Sequence, residues 1–185
     1  DAAPQIDLAL YSRQFYVLGM ETLVALSKTN VLVCGMRGLG VEVAKNLILA
    51  GVKSVHIHDK NPVRVEDLNS QFYLSEGDLN NRRDKASFAK LAELNRYVTV
   101  QVALELNDDV LSQFQVVVVT DCPSFSELTK MNTFCRQKGI KFLASDIYGL
   151  TGYIFNDFGD KWIVNDSDGE ETPNVIISSV SNSKP

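Results

Sequence analysis

Apolar positions along the chain switch between two periods, and the switches outline a β-α-β unit near the N-terminus. Val31-Leu32-Val33-Cys34 is a short continuous apolar run, the pattern of a strand covered on both faces. From Val41 the period becomes helical. Val41, Ala44, Leu47 and Ile48 fall on one stripe, and Gly51 is placed to end the helix in a left-handed cap. Residues 54–58 return to strand character. A strand, helix and strand in so short a span make the repeating unit of a parallel sheet.

The pattern continues downstream. Residues 1–10 read as a flexible lead-in, followed by a short helix that ends near Lys28 with Leu23 and Leu26 on one face. A helix is expected over 81–95, with Phe88, Leu91 and Ala92 turned inward. Strands follow at 98–102 and 116–120, the second a β-branched run suited to the middle of a sheet. A helix over 125–138 buries Leu128, Met131 and Cys135 and is capped by Gly139. A strand at 141–145 and an antiparallel return strand at 153–158 complete the order. The prediction is an α/β fold: a Rossmann-like, mostly parallel sheet with helices on both faces. Residues 1–164 form one domain. From residue 165 the composition shifts to Asp, Ser, Gly and Glu and then to the apolar stretch 175–180, which reads as the start of a second, β-rich unit over 165–185.

The turn between the first strand and helix carries the candidate chemistry. It reads Gly35-Met36-Arg37-Gly38-Leu39-Gly40. A strand–glycine turn–helix of this kind holds a pyrophosphate on the helix N-terminus, with glycines at the first, third and sixth positions. Gly35 and Gly40 fill the first and sixth, but the third is Arg37, whose side chain takes the space where backbone approaches phosphate. Asp59, at the end of the second strand, stands where an acidic residue holds a ribose hydroxyl. The turn therefore argues for a nucleotide-binding fold and against an ordinary dinucleotide site. An oxidoreductase or a free-standing adenylating enzyme is disfavoured for the same reason.

Composition narrows the partners. The chain has 185 residues, 45% of them hydrophobic, and a formal net charge of -5. That charge, with no basic cluster beyond Arg82, Arg83 and Lys85, argues against nucleic acid. The small cluster reads as a solvated helix start. No long apolar segment points to a membrane, and no signal peptide is evident, so the chain reads as intracellular. The three cysteines, Cys34, Cys122 and Cys135, lack metal-ligand spacing; Cys34 and Cys135 read as small core residues. The acidic run 166–171 lacks the alternation and terminal Glu of a calcium loop and reads as a solvated turn. The chain begins without Met and stops at Pro185 without an evident end, which reads as a fragment.

Several stretches, in order, resemble the ubiquitin-activating enzymes. They are Tyr11-Ser12-Arg13-Gln14, Gly35 to Asn46, Asp67-Leu68-Asn69-Ser70-Gln71-Phe72-Tyr73-Leu74, Lys90-Leu91-Ala92-Glu93-Leu94-Asn95 and Phe114-Gln115-Val116-Val117-Val118. The resemblance implies two related adenylation halves in one chain, one active and one degenerate. The active pattern has a Gly-x-Gly-Gly-x-Gly turn, an acidic ribose contact, an Asn-x-x-Arg-Gln segment, a downstream Lys and a magnesium-holding Asp after the fourth strand. Against it, this sequence has Arg37 for the second glycine, with Gly35, Gly38 and Gly40 kept. Asp59 matches the ribose position. Asp67 replaces the Asn and Ser70 the Arg. Arg83 falls at or near the Lys, and Pro123 near the magnesium Asp, with Asp121 two positions early.

The resemblance therefore implies the N-terminal, inactive half, with no catalytic residue and no metal site of its own. The whole enzyme would use ATP and Mg2+ to adenylate the ubiquitin C-terminus, form a cysteine thioester and pass ubiquitin to conjugating enzymes. It would do so in the cytoplasm and nucleus. The active adenylation half would be this chain's immediate partner. Arg13 would reach across the pseudo-dimer to the ATP phosphates, a role that suits a permanently charged guanidinium. The tail from residue 165 would open the first catalytic-cysteine half-domain. The alternative is the non-catalytic subunit of a heterodimeric activating enzyme for another modifier, such as SUMO. A half that packs on a twin should also expose an apolar face.

Overall fold

The computed structural model describes residues 6–121 and 124–163. The calls on residues 122–123, and on the tail as a second unit, lie outside these residues.

Helix α1 (Ser12–Leu26) opens the fold and is interrupted at Gly19, whose φ of 76° leaves the helical region. It is longer than the pattern predicts, because Phe15, Tyr16, Val17 and Leu18 are exposed and trace no single buried stripe. Then come β1 (Asn30–Cys34), α2 (Gly38–Ala50) and β2 (Ser54–His58). After a loop with tight helical turns at Val65–Asn69 and Glu76–Asp78 lie α3 (Arg83–Ala92) and β3 (Thr99–Val102). The rest is α4 (Asp108–Leu111), β4 (Val116–Val119), α5 (Phe125–Lys138), β5 (Lys141–Tyr148) and β6 (Thr151–Asp157). The strand order is β3-β2-β1-β4-β5-β6; the first five run parallel, and β6 returns antiparallel to β5.

Strand periodicity divides the core in two. Val31 and Val33 of β1 face one side with Val55 and Ile57, under Val41, Ala44 and Ile48 of α2 and Leu91 of α3. Leu32 and Cys34 face the other with Val117, Val119 and Phe142, under Leu111, Phe114 and Cys135. The expected α2 stripe, the Gly51 and Gly139 left-handed caps and the core placement of Cys34 and Cys135 are all present. One inward residue is corrected: Phe88 is exposed. The buried positions of α3 are Arg83, Asp84, Ser87 and Leu91, so most of its inner face is polar. At the start of that face Arg83 and Asp84 are held by ion pairs rather than by apolar packing.

Candidate functional site: a crevice closed by its own charges

The sheet order reverses between β1 and β4, where the connections leave to opposite sides and open a crevice at the strand C-termini. A cavity of about 620 Å³ lies there, lined by Gly35, His58, Asp59, Leu104, Asp121 and Lys130 among others.

The glycine turn forms the crevice floor, and its glycines are dictated by contact. Gly35 has φ 95°, and a Cβ there would lie 2.8 Å from Thr120 Oγ1 and 2.9 Å from the Asp121 backbone N. A Cβ on Gly40 would overlap the Gly35 carbonyl oxygen. Thr120 Oγ1 spans the carbonyls of Cys34 and Gly35, at 3.2 Å from each. The turn thus keeps the close strand–helix packing that this architecture needs. Arg37 is the N-cap of α2, extended at φ -76°, and makes no side-chain capping bond. Its guanidinium leans sideways instead, with Nε 3.3 Å from Asp67 Oδ1 and Nη1 3.9 Å from Asp121 Oδ1.

Arg83 stands behind the crevice wall, paired with Asp59 and Asp121, which line it, and with Asp67. The reading of Arg82, Arg83 and Lys85 as a solvated helix start is corrected for Arg83, only 4% exposed, and for half-buried Arg82; Lys85 is exposed. The Arg83 Nε lies 2.8 Å from Asp59 Oδ2, a close ion pair too oblique for a hydrogen bond. Nη1 donates to Asp67 Oδ1 at 3.2 Å and Nη2 to Asp121 Oδ2 at 3.2 Å. Arg82 pairs with Asp84, which is fully buried and accepts from the Asp59 backbone N–H at 2.9 Å. Burial pushes the Asp121 carboxyl above its ordinary value, while Arg37 and Arg83 pull it back.

Asp59 occupies the ribose-type position, but its oxygens are committed. Oδ2 accepts from the Met36 N–H at 2.9 Å and Oδ1 from the Asn61 N–H at 3.0 Å, beside Arg83. Gln71, which kept its place in the matched segment, is 1% exposed and structural. Its Nε2 donates to the Met36 carbonyl at 3.2 Å and to Ser87 Oγ at 2.7 Å. Ser70 is exposed, and its carbonyl would sit 2.9 Å from a Cβ on Gly38. Gly35, Arg37, Gly38, Gly40, Asp59, Ser70 and Arg83 therefore lie together around one turn. Pro123 lies outside the described residues. Asp84 and Ser87 escaped the sequence reading, since a buried polar face leaves no apolar period.

The charged groups at the glycine turn are spent on one another, while Lys60 and Lys130, which also line the cavity, stand outside that array among the described residues. Phosphates call for uncommitted cations and magnesium for an uncommitted carboxylate. Here Arg37 and Arg83 are paired with Asp59, Asp67 and Asp121, and no group of His, Cys, Asp and Glu able to hold a metal occurs among the described residues.

Arg13 is not part of this array. It is exposed on the first turn of α1 and makes no ion pair with the described residues. Tyr11, two positions earlier, packs on Gly51 at the far end of α2; a helix of 13 residues separates that end from the glycine turn by about 20 Å.

Fold and crevice together define an α/β protein with the adenylation-type fold, in which the charges at the glycine turn pair with one another. The chain belongs to the ThiF family, whose model matches residues 11–162. It is 48% identical over 175 residues to "Ubiquitin-activating enzyme E1 1" of Schizosaccharomyces pombe, a match covering 95% of this chain and 17% of that protein. It is likewise 48% identical over 181 residues to "Ubiquitin-like modifier-activating enzyme 1" of Homo sapiens, covering 97% of this chain and 17% of that protein. The chain thus spans 17% of the length of these relatives. Among solved structures, E. coli MccB with succinimide superposes with a TM-score of 0.73 at 17% identity, covering 82% of this chain and 49% of that one. At that identity the likeness concerns the fold alone.

Proposed function

We propose that this chain is the first part of the inactive adenylation half of a ubiquitin-activating enzyme, a scaffold for the active half rather than a catalytic unit. The whole enzyme uses ATP and Mg2+ to adenylate the ubiquitin C-terminus, forms a cysteine thioester and delivers ubiquitin to conjugating enzymes, in the cytoplasm and nucleus. The observation that carries the reading is the self-paired crevice: Arg83 and Arg37 consume the carboxylates that a magnesium nucleotide would need. The resemblance to ubiquitin-activating enzymes supplies the rest.

Two exposed apolar regions suit a scaffold role. Tyr16 and Val17 on α1 are 85% and 81% exposed, and the β5–β6 hairpin exposes Ile147, Leu150 and Ile154. Surfaces of this kind fit packing against a structurally related half. Arg13 stands beside the first of them, unpaired among the described residues and far along α2 from this chain's own crevice. In this account it reaches the nucleotide phosphates held by the active half.

Replacing Arg13 with Ala in the whole enzyme tests that role. ATP–pyrophosphate exchange should fall by one to two orders of magnitude, in keeping with the loss of a charge-assisted phosphate contact of about 1.5–3 kcal/mol. Unchanged exchange would leave Arg13 as scaffold only.

A further inference from the structure

We infer that Arg83 serves as the permanent ligand of the crevice, the group that sets its shape and charge balance in place of a dissociable one. The inference rests on the reading of this half as closed to nucleotide and names what closes it. Three carboxylates reach the guanidinium from three separate segments. Asp59 comes from the end of β2, Asp67 from the turn Val65–Asn69 and Asp121 from just beyond β4.

Two of these carboxylates also hold backbone. Asp59 fixes the Met36 and Asn61 N–H groups, and Asp67 accepts the Arg64 N–H at 2.9 Å. One buried side chain thus ties the glycine turn, the 59–67 loop and the end of β4 into a unit.

The two arginines beside it are placed differently. Arg37 is 47% exposed and reaches only Asp67 and Asp121, and Arg82 is engaged with Asp84. A planar guanidinium donates in several fixed directions at once, which matches carboxylates converging from three sides; an ammonium is a point charge and would satisfy them less well. Removing it leaves buried carboxylates uncompensated, the costly outcome for any buried ion pair.

Hydrogen exchange followed by mass spectrometry on the whole enzyme tests this, comparing Arg83→Ala, Arg83→Lys and the wild type. Arg136→Ala is the control, because Arg136 pairs with Asp157 and Asp160 outside the crevice. In Arg83→Ala, residues 34–40 and 59–67 should exchange about tenfold faster or more, as a locally opened unit does, while 151–157 keep wild-type rates. Millimolar methylguanidinium should restore part of that protection in Arg83→Ala and leave the wild type unchanged. Arg136→Ala should leave the crevice segments alone. Wild-type exchange in the crevice of Arg83→Ala, or a loss that methylguanidinium does not reduce, would overturn the inference. If Arg83→Ala does not accumulate folded, Arg83→Lys decides: faster exchange confined to the two crevice segments supports the assignment, and wild-type rates overturn it. Nucleotide bound in this crevice of the wild-type enzyme would contradict the closed-half reading instead, a separate result from these rates.

Discussion

The Asn95 side-chain amide donates to the Tyr11 hydroxyl at 2.7 Å, joining the entry of α1 to the segment that follows α3. The same Nδ2 donates to the Ile48 carbonyl at 2.9 Å, and the Tyr11 ring lies against Gly51, which has no Cβ to obstruct it. Arg13 therefore begins from a fixed point, clamped to the C-terminal end of α2. Tyr11→Phe keeps the ring and loses the hydroxyl, so the cost is expected at about 1 kcal/mol in denaturant unfolding. Gly51→Ala should cost more, since its Cβ would sit 2.8 Å from the Tyr11 ring on backbone at φ 83°. Equal losses for the two would count against the clamp.

The glycines at the turn and at the α5 cap meet different constraints. Gly139 has φ 71° and open space around it, so Gly139→Ala should lose about 1 kcal/mol from backbone strain alone. Gly40→Ala must push the Gly35 carbonyl and Thr120 aside, and about 3 kcal/mol or more is expected. Denaturation midpoints of the two variants check the order. A Gly40→Ala protein as stable as Gly139→Ala would mean that the turn yields more easily than its contacts indicate.

His56 gives the fold a pH dependence of predictable sign. It packs edge-on against Phe114, ring centroids 4.9 Å apart, and burial holds its imidazole below the ordinary value of 6.5. The unfolded chain then binds a proton that the native chain refuses. Stability is present in full above the unfolded value and declines as pH falls through 6.5 toward the native value. An imidazole NMR titration should place the His56 midpoint below 6.5, and His56→Gln should remove this part of the acid destabilisation. A midpoint above 6.5 would reverse the sign.

Much of the fold was legible because β1 and β4 are buried on both faces, β2 buries Val55 and Ile57 on one, and α2 carries a clean stripe; in such elements burial and period coincide. Where burial and hydrophobicity part, the reading failed. The first half of α1 exposes its apolar side chains, so its pattern does not announce a helix against a core. Most of α3's inner face is charged or hydroxylic, so period pointed to Phe88 and away from Arg83. The glycine turn, Asp59 and Ser70 were found by motif position. The pairing of Arg83 with Asp59, Asp67 and Asp121 was not, because the partners lie far apart in sequence. One signal was available: the resemblance sets Asp67 at an Asn and Arg83 at or near a Lys, opposite charges about one pocket and a hint that the two meet.

Counting nucleotides on the whole enzyme tests the central claim most directly. Equilibrium dialysis with ATP and Mg2+, without ubiquitin, should find one nucleotide per polypeptide, held by the active half, and the count should stay at one when Asp59 is replaced by Ala. Two nucleotides per polypeptide, falling to one on Asp59→Ala, would mean that this crevice binds nucleotide despite its paired charges, and the account of a self-closed half would be wrong.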